Sequence, residues 1–339
     1  MNTQAQQHRK ERIDRGIKVR TDGLYALMSN RELAYLMAPR LLLIVGLLML
    51  PMIMPGMYWK RGISIVCIYA LLALSFDFLA HYVGLVSLGG AFFVGTGSYL
   101  SAIMNTEFGM DPLLAIGAAT ILGGTLCTIL LLPCLPLRGV YFAIVTLMYP
   151  LFMARVIEAL DIFGGTDGIM GIDSFPNDWV EQYGVILMVL IFLFGLRRLV
   201  NTDLGLVLRA VKDNDQAVKA SGMNITRYKA LAVFIASAIG CLAGACIAHI
   251  YMWTGISTFA LDFSVLPIAA TVIGGSGTLV GPVIGCLILV PVSELLRDFG
   301  TLRIVFYSLI LLGFIVFRSD GLMIYGQRKY HQFERWTDI

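Results

Sequence analysis

The chain has 339 residues and a formal net charge of +3; 58% of its residues are hydrophobic and only 14% are charged. Soluble domains carry about 25% charged residues, so this composition excludes an ordinary soluble globular protein. The small net charge gives no basis for nucleic-acid binding, and apolar runs of about 20 residues indicate helices that cross a membrane.

The chain starts with a polar, basic tail at 1–38, and the first apolar run begins only at Leu41. An apolar run that begins so late does not fit a cleavable secretory signal. Ser29 and Glu32 fit a capping box, and the apolar residues that follow would share one helical face. We therefore predict a short helix on the inner membrane surface within residues 29–37.

Ten segments have the length and composition of membrane-spanning helices. They lie at 40–58, 63–82, 84–105, 113–135, 139–160, 183–200, 229–252, 262–277, 280–296 and 302–317. The pair at 262–277 and 280–296 is short and interrupted by glycines and Pro282, so one crossing plus a re-entrant piece is the alternative. The fold class predicted is all-α: a polytopic integral membrane protein with about ten transmembrane helices, some of them broken by glycine. We expect a tail at 1–38, a transmembrane domain at 39–317 and a second tail at 318–339.

The positive charges predict the orientation of these helices, because Lys and Arg accumulate on the cytoplasmic side. Of the 25 Lys and Arg residues, 20 lie in the 1–40 segment, at Arg138, in the 197–229 segment or in the 318–339 tail. Ten crossings place all of these and both termini in the cytoplasm of a bacterial inner membrane. The acidic 161–182 loop then lies outside. The exceptions are Lys60, Arg61, Arg297 and Arg303, and the remaining residue, Arg155, falls inside an apolar segment.

Catalytic and metal-binding patterns are missing from the sequence. The glycine-rich 274–282 stretch lacks the Lys and Ser or Thr of a nucleotide-binding loop, and there is no HExxH motif and no Ser–His–Asp arrangement. The six cysteines all fall in apolar segments, where small buried residues are expected rather than metal ligands or disulfides. We expect no enzyme activity, no metal site and no cofactor bound by this chain.

Five ionisable residues fall inside the apolar segments: Asp77, Arg155, Glu158, His249 and Glu294. Charges at membrane depth are costly and often functional. Arg155 and Glu158 are three residues apart and can neutralise each other on one helical face. Two interpretations stay open for the set, namely structural pairs or near-interface residues, and the lining of a polar path.

A polar stretch, AVKDNDQAVKASGMNITRYKALAVF at 210–234, interrupts the apolar chain. Asp203 is a predicted helix start, the helix runs to about Ser221, Gly222 turns the chain, and Asn224 caps a second helix. A plain connection needs about two to eight residues, whereas this one takes about 28. It is either an amphipathic surface helix or a helix that docks into a groove of a cytoplasmic partner.

Several motifs carry a resemblance to a known family. QAVKASGMN at 216–224 resembles the EAA-type coupling segment of ABC importer permeases, with Gln216 in place of the usual acidic residue. GLVSLGGAFFVGTGSYLSA, GVYFAIVTL, GGTDGIMGI, VIGGSGTLVGPVIG and FRSDGLM are similar, in this order, to branched-chain amino acid permeases of the LivM type. The resemblance covers roughly 62–325. The chain departs from the family at Gly89–Gly90–Ala91, where a Gly-His pair is usual, and in its longer, more basic N-terminal tail.

The resemblance implies a permease subunit of a binding-protein-dependent ABC importer for branched-chain or related hydrophobic amino acids. The expected partners are a second permease of the LivH type, two ATP-binding subunits that hold the ATP, and a periplasmic substrate-binding protein. Alternating access would be driven through a coupling helix at 203–228. The alternatives are a permease of the same family for urea or short amides, a stand-alone secondary carrier, or a structural or signalling membrane subunit.

The resemblance also assigns roles to residues. Those expected to couple to the ATPase are Asp213, Asp215, Gln216, Ala217, Lys219 and Gly222. Those expected in the translocation pathway are Ser87, Gly89, Gly90, Thr146, Gly274 and Gly275. For the glycines of the second set, close helix packing is the alternative.

Overall fold

A computed structural model describes residues 30–53, 56–137 and 139–296, with residues 300, 302, 305, 308–309, 312–314 and 321–327. Most of the predicted N-terminal tail, including Ser29, and the end of the C-terminal tail lie outside these residues. The chain divides near Leu43 into two compact units. The packing described below belongs to the unit that begins at Ile44.

Helices make up nearly all of the described chain. In order they are α1 (Asn30–Ile53), α2 (Met57–Asp77), which continues into a π-helical turn (Phe78–Val83), α3 (Gly90–Thr106), α4 (Pro112–Leu131), α5 (Val140–Leu160), α6 (Asp178–Val200), α7 (Asp203–Ala220), α8 (Ile225–Tyr251), α9 (Asp262–Gly274) and α10 (Val280–Leu295). Short 3₁₀ turns follow α4, at Leu132–Cys134, and precede α9, at Ile256–Phe259.

Two short strands join the loop after α5 to the end of α8. Strand β1 (Ile169–Met170) pairs antiparallel with β2 (Trp253–Thr254), with Ile169 opposite Thr254 and Met170 opposite Trp253. The pairing satisfies backbone groups that would otherwise be exposed at the end of the bundle.

Close packing of α3 against α8 forms the centre of the bundle, and α4 packs against both of these helices. A Cβ added at Gly97 would overlap the backbone of Cys241, and one added at Gly244 would overlap the backbone of Val94. Small residues let membrane helices approach this closely, so that dispersion contacts replace contacts with lipid. The helix α2 packs against α8, α9, α10 and α6.

Six described helical segments are long and apolar enough to cross a membrane: Tyr58–Val83, Pro112–Cys134, Val140–Leu160, Asp178–Val200, Ile225–Tyr251 and Ile256–Gly274. Two shorter apolar helices cover Leu41–Met52 and Val280–Leu295. The all-α, polytopic membrane architecture is therefore confirmed, whereas the predicted number of ten crossings is not confirmed. Part of the predicted 302–317 segment lies outside the described residues.

Two predicted boundaries were wrong. The predicted 84–105 segment becomes helical only at Gly90, because Gly84 adopts a left-handed conformation (φ 80°) and ends the preceding π-helical turn. The helix predicted within 29–37 forms the first part of α1, which runs without a break from Asn30 to Ile53; its location on the membrane surface stays a prediction. Pro39 removes one helical hydrogen bond but does not end this helix.

Two of the basic residues that did not fit the charge pattern have partners at the start of α6. The Lys60 ammonium lies 4.7 Å from the centre of the Trp179 ring, a cation–π contact. Arg61 lies near the Glu181 carboxylate. Both basic side chains therefore lie beside residues at the start of α6.

The close approach of α3 and α8 generates a stability prediction. Gly97→Ala forces the two backbones apart, and overpacking of this kind costs about 1–3 kcal/mol. We expect a lower apparent melting temperature of the purified protein in detergent. Gly117→Ala is the matched control, because nothing lies within 4 Å of a Cβ added there. Equal melting temperatures for the two variants would contradict the packing described for α3 and α8.

Candidate functional site

The helix α7 is broken at Asn214 into a first half, 203–213, and a second half, 215–220, whereas the sequence predicted a single helix. Asn214 has non-helical angles (φ −156°, ψ 94°) in the middle of α7. Its side-chain oxygen accepts hydrogen bonds from the backbone N–H groups of Gln216 and Ala217, both at 3.1 Å. Asparagine competes with the helix in this way and favours cap positions. The second half of α7 therefore starts with its own cap.

The end of the segment follows the prediction. The helix α7 begins at Asp203 and ends at Ala220. Gly222 is left-handed (φ 84°), as glycine after a helix C-terminus commonly is. The Asn224 side chain then accepts a hydrogen bond from the backbone N–H of Arg227 at 3.3 Å and caps α8. These three predictions are confirmed.

The six predicted coupling residues lie mostly on the exposed side of the second half. Asp213, Gln216, Ala217, Lys219 and Gly222 are exposed, and Asp215 is half-buried. The Asp215 carboxylate lies 3.8 Å from the Lys229 ammonium at the start of α8. Val211 and Val218 are buried on the opposite side. The apolar side of the segment thus packs against the bundle. The exposed coupling residues form a polar strip on its outer side.

The first half of α7 holds the π-helical turn that ends α2. The Lys212 ammonium donates a 2.8 Å hydrogen bond to the backbone carbonyl of His81, and the Arg209 guanidinium lies 5.5 Å from the centre of the Tyr82 ring. Neither Arg209 nor Lys212 was a predicted site residue. The pattern that could have identified Arg209 and Lys212 is their spacing of three residues, which places both basic side chains on one face of a helix.

The π-helical turn and the adjoining Asp77 form hydrogen bonds with the connection between α9 and α10. Asp77 is fully buried. Its carboxylate accepts hydrogen bonds from the backbone N–H groups of Gly277 at 2.7 Å and Leu279 at 3.1 Å. His81 Nδ1 lies 2.9 Å from the same carboxylate, and the Tyr82 hydroxyl donates to the Gly277 carbonyl at 2.7 Å. A buried carboxylate is tolerated when it is hydrogen-bonded in this way.

Four of the six predicted pathway residues meet at the start of α3. They are Ser87, Gly89, Gly90 and Thr146. The Thr146 hydroxyl accepts from the backbone N–H of Leu88 at 3.0 Å, and the Ser87 hydroxyl accepts from that of Gly89 at 3.2 Å. From α9, the Ser264 hydroxyl accepts from the N–H of Ala91 at 2.9 Å. A side chain at Gly90 would crowd the Phe263 carbonyl.

The other two predicted pathway residues, Gly274 and Gly275, lie at the α9–α10 turn and not in this cluster. A Cβ at Gly274 would overlap the Gly281 backbone. Gly275 has φ 113° and borders Gly321, where an added Cβ would overlap the Gly275 backbone. Gly274 and Gly321 therefore require glycine for backbone packing, and Gly275 requires it for its positive φ.

Three cavities with shared lining residues follow α2, α9 and α10, and they are together called the groove. The first, at the start of α2, has a volume of about 320 Å³ and is lined by residues that include Tyr58 and Arg61. Tyr251, Val290 and Glu294 line both this cavity and the second, of about 160 Å³. Phe263 lines the second and the third, and the third, lined also by Ser87, Gly90 and Ser264, has only about 10 Å³. The cavity volume therefore decreases toward the predicted pathway cluster.

The remaining ionisable residues of the apolar segments have structural partners. Arg155 and Glu158 form the predicted ion pair. His249 is buried. Its Nε2 lies 2.9 Å from the Ser101 hydroxyl, and its Nδ1 lies 2.7 Å from the Asp173 carbonyl. These bonds, with two between Asn105 and Asp173, fasten the loop before α6 to α3 and α8.

Comparison with known proteins identifies relatives over most of the chain. The family model described as the permease component of the branched-chain amino acid transport system matches residues 59–318. The high-affinity branched-chain amino acid transport system permease proteins LivM of Salmonella typhimurium and Escherichia coli are each 26% identical over 321 residues, which cover 83% of this chain and 74% of the relative. A probable branched-chain amino acid transport permease protein LivM of Methanocaldococcus jannaschii is 30% identical over 228 residues, 62% of this chain and 65% of the relative. No solved structure matches.

The Asn214 cap generates a local stability prediction. Asn214→Ala removes the acceptor for two backbone N–H groups, and loss of such a cap costs about 1 kcal/mol. We expect the amides of Gln216 and Ala217 to exchange with deuterium about fivefold faster, measured by mass spectrometry in detergent. Thr226→Ala is the control, because its exposed side chain lies in the next helix. Unchanged exchange in Asn214→Ala would contradict the break in α7.

Proposed function

The chain belongs to the family of permease components of branched-chain amino acid transport systems, and on that premise we propose that it is a transmembrane subunit of an ATP-driven importer. Its substrates are branched-chain or related hydrophobic amino acids, as the names of its relatives suggest. The chain itself catalyses no reaction, and ATP is bound by its partners.

One observation carries the coupling role: the polar strip on the second half of α7. Gln216, Ala217 and Lys219 are exposed there, and Asp213 is exposed just before the break at Asn214, while Val218 is buried against the bundle on the other side. A helix seated in a groove of a partner presents this kind of surface. Movement of two ATP-binding subunits on nucleotide binding then pushes the segment, and alternating access follows.

The narrowing groove supports a pathway for substrate. Its wide end has both charged and aromatic side chains, including Arg61, Glu294 and Tyr251, which hydrocarbon would not solvate. A zwitterionic amino acid with an apolar side chain is matched by such a mixed lining. The narrow end lies at Ser87, Gly90 and Ser264, and we propose that a shift of α9 opens it.

The complex contains a second permease of the LivH type, two ATP-binding subunits and a periplasmic substrate-binding protein. It resides in the bacterial inner membrane with both termini in the cytoplasm. The distribution of Lys and Arg supports this orientation. A further support is the contact of Gly321 with Gly275, because it brings the start of the C-terminal tail to the α7 end of the bundle.

Two other functions make different predictions for transport. A permease for urea or short amides would take up labelled urea in preference to leucine, and a stand-alone carrier would take up leucine without ATP-binding subunits. The present proposal expects leucine uptake that requires both ATP and those subunits. Uptake by reconstituted vesicles with each substrate, with and without ATP, separates the three.

The left-handed turn at Gly222 generates a prediction for assembly. Gly222 has φ 84°, and proline cannot adopt this conformation because its ring fixes φ at a negative value. We expect Gly222→Pro to insert in the membrane but to lose ATP-dependent uptake and to recover less than about a tenth of the ATP-binding subunits on purification, since a misplaced docking helix loses most of its partner contacts. The measurement is quantitative mass spectrometry of the complex in mild detergent.

Gly222→Asn is the matched control, because asparagine tolerates the left-handed region. It should keep both the ATP-binding subunits and uptake. Normal uptake by Gly222→Pro would rule out α7 as the docking helix.

A further inference from the structure

We propose that Arg209 and Lys212 are positioning residues that transmit movement of α7 to the α9–α10 turn through the π-helical turn Phe78–Val83. This inference rests on the proposed function, since it names the part of the bundle that movement of the coupling segment would displace. It differs from that proposal because Arg209 and Lys212, although themselves exposed, contact the π-helical turn.

The first step of the link joins α7 to the π-helical turn. The bond from the Lys212 ammonium to the His81 carbonyl, 2.8 Å long, is charge-assisted and therefore stronger than a neutral hydrogen bond. The stem of Lys212 lies against Gly84, where an added Cβ would be 3.0 Å from Lys212 Cγ. Arg209 holds the neighbouring Tyr82 ring. Two side chains from one face of α7 thus hold two adjacent residues of the turn.

The second step joins the π-helical turn to the α9–α10 turn. Tyr82 donates to the Gly277 carbonyl, and Asp77 accepts from the Gly277 and Leu279 N–H groups. The same six-residue turn therefore holds α7 at one side and, with the adjoining Asp77, the broken-helix connection at the other. Single π-helical turns within α-helices are rare and frequently lie at functional sites.

The third step leads from the α9–α10 turn to the narrow end of the groove. The helix α9 has 13 residues and a length of about 20 Å. Gly274 ends it beside the turn, and Ser264 near its start is bonded to Ala91 of α3. A displacement of the turn is therefore carried along one helix to the residues that close the groove.

Lys212 and Tyr82 act one after the other in this link, and each can be replaced by a residue of similar volume that cannot form the contact. Lys212→Met keeps the apolar stem against Gly84 and removes the ammonium. Tyr82→Phe keeps the ring under Arg209 and removes the hydroxyl that donates to Gly277. A residue with only a structural role would lower the amount or activity of the complex, whereas a residue of the link changes how much substrate moves for each ATP hydrolysed.

The experiment measures this ratio in vesicles that contain the whole complex with its second permease and ATP-binding subunits. Leucine uptake and phosphate release are followed in the same vesicles for the unmodified chain, Lys212→Met, Tyr82→Phe and the double variant. Arg198→Met, an exposed basic residue at the end of α6, is the matched control.

We expect each single variant to keep its ATP-binding subunits and its ATP hydrolysis and to move about fivefold less leucine per ATP, a typical size for coupling between sites. Because the two residues act in series, the double variant should be no worse than the poorer single variant. Arg198→Met should keep the ratio of the unmodified chain.

Other outcomes overturn the inference. An unchanged ratio in both single variants, or a loss of hydrolysis and uptake in equal proportion, assigns Lys212 and Tyr82 a structural role only. Fully additive losses in the double variant exclude a series link. These results are distinct from failure of the proposed function, in which the unmodified chain recovers no ATP-binding subunits or moves leucine without ATP.

Discussion

The Asp77 carboxylate, buried at the end of α2, is the interaction on which the rest of this structure depends. Inside a membrane protein, backbone groups outside helices need partners within the protein, because hydrocarbon offers none. The α9–α10 turn leaves N–H groups at Gly277 and Leu279 without helical acceptors, and both oxygens of Asp77 receive them. A carboxylate that would be costly alone thereby permits an interrupted helix pair.

Glycine serves two separate purposes in the bundle. Between α3 and α8 it removes side chains so that two backbones touch, as at Gly97, and this contact fixes a rigid centre. At Gly275 and Gly277 it supplies positive φ angles, which other residues rarely adopt. The first use resists movement, and the second allows the chain to change direction. The family membership of the chain is thus matched by a bundle that has a fixed centre and an interrupted edge.

Much of the fold was readable from local sequence, and most of the site was not. Apolar length predicted the helices, and the local chemistry of Gly222 and Asn224 predicted the end of α7, since both effects involve neighbours in sequence. The break at Asn214 was not predicted, because the helix propensity of the neighbouring residues outweighed the preference of one asparagine for a cap position. The partners of Asp77 lie 200 and 202 residues away, so no local pattern could identify them. The predicted pathway glycines all lie in glycine-rich stretches, but the structure places them at two separate sites. Their positions also depend on contacts between residues distant in sequence.

The loop that carries β1 is fastened at several points, by pairing with β2, by Asn105 and by His249. Its conformational entropy is therefore lost when the chain folds rather than when another molecule binds. Association that must first order a loop gives up part of its binding free energy. A protein that binds this face would meet a surface already in place, so no ordering of this loop would reduce its affinity.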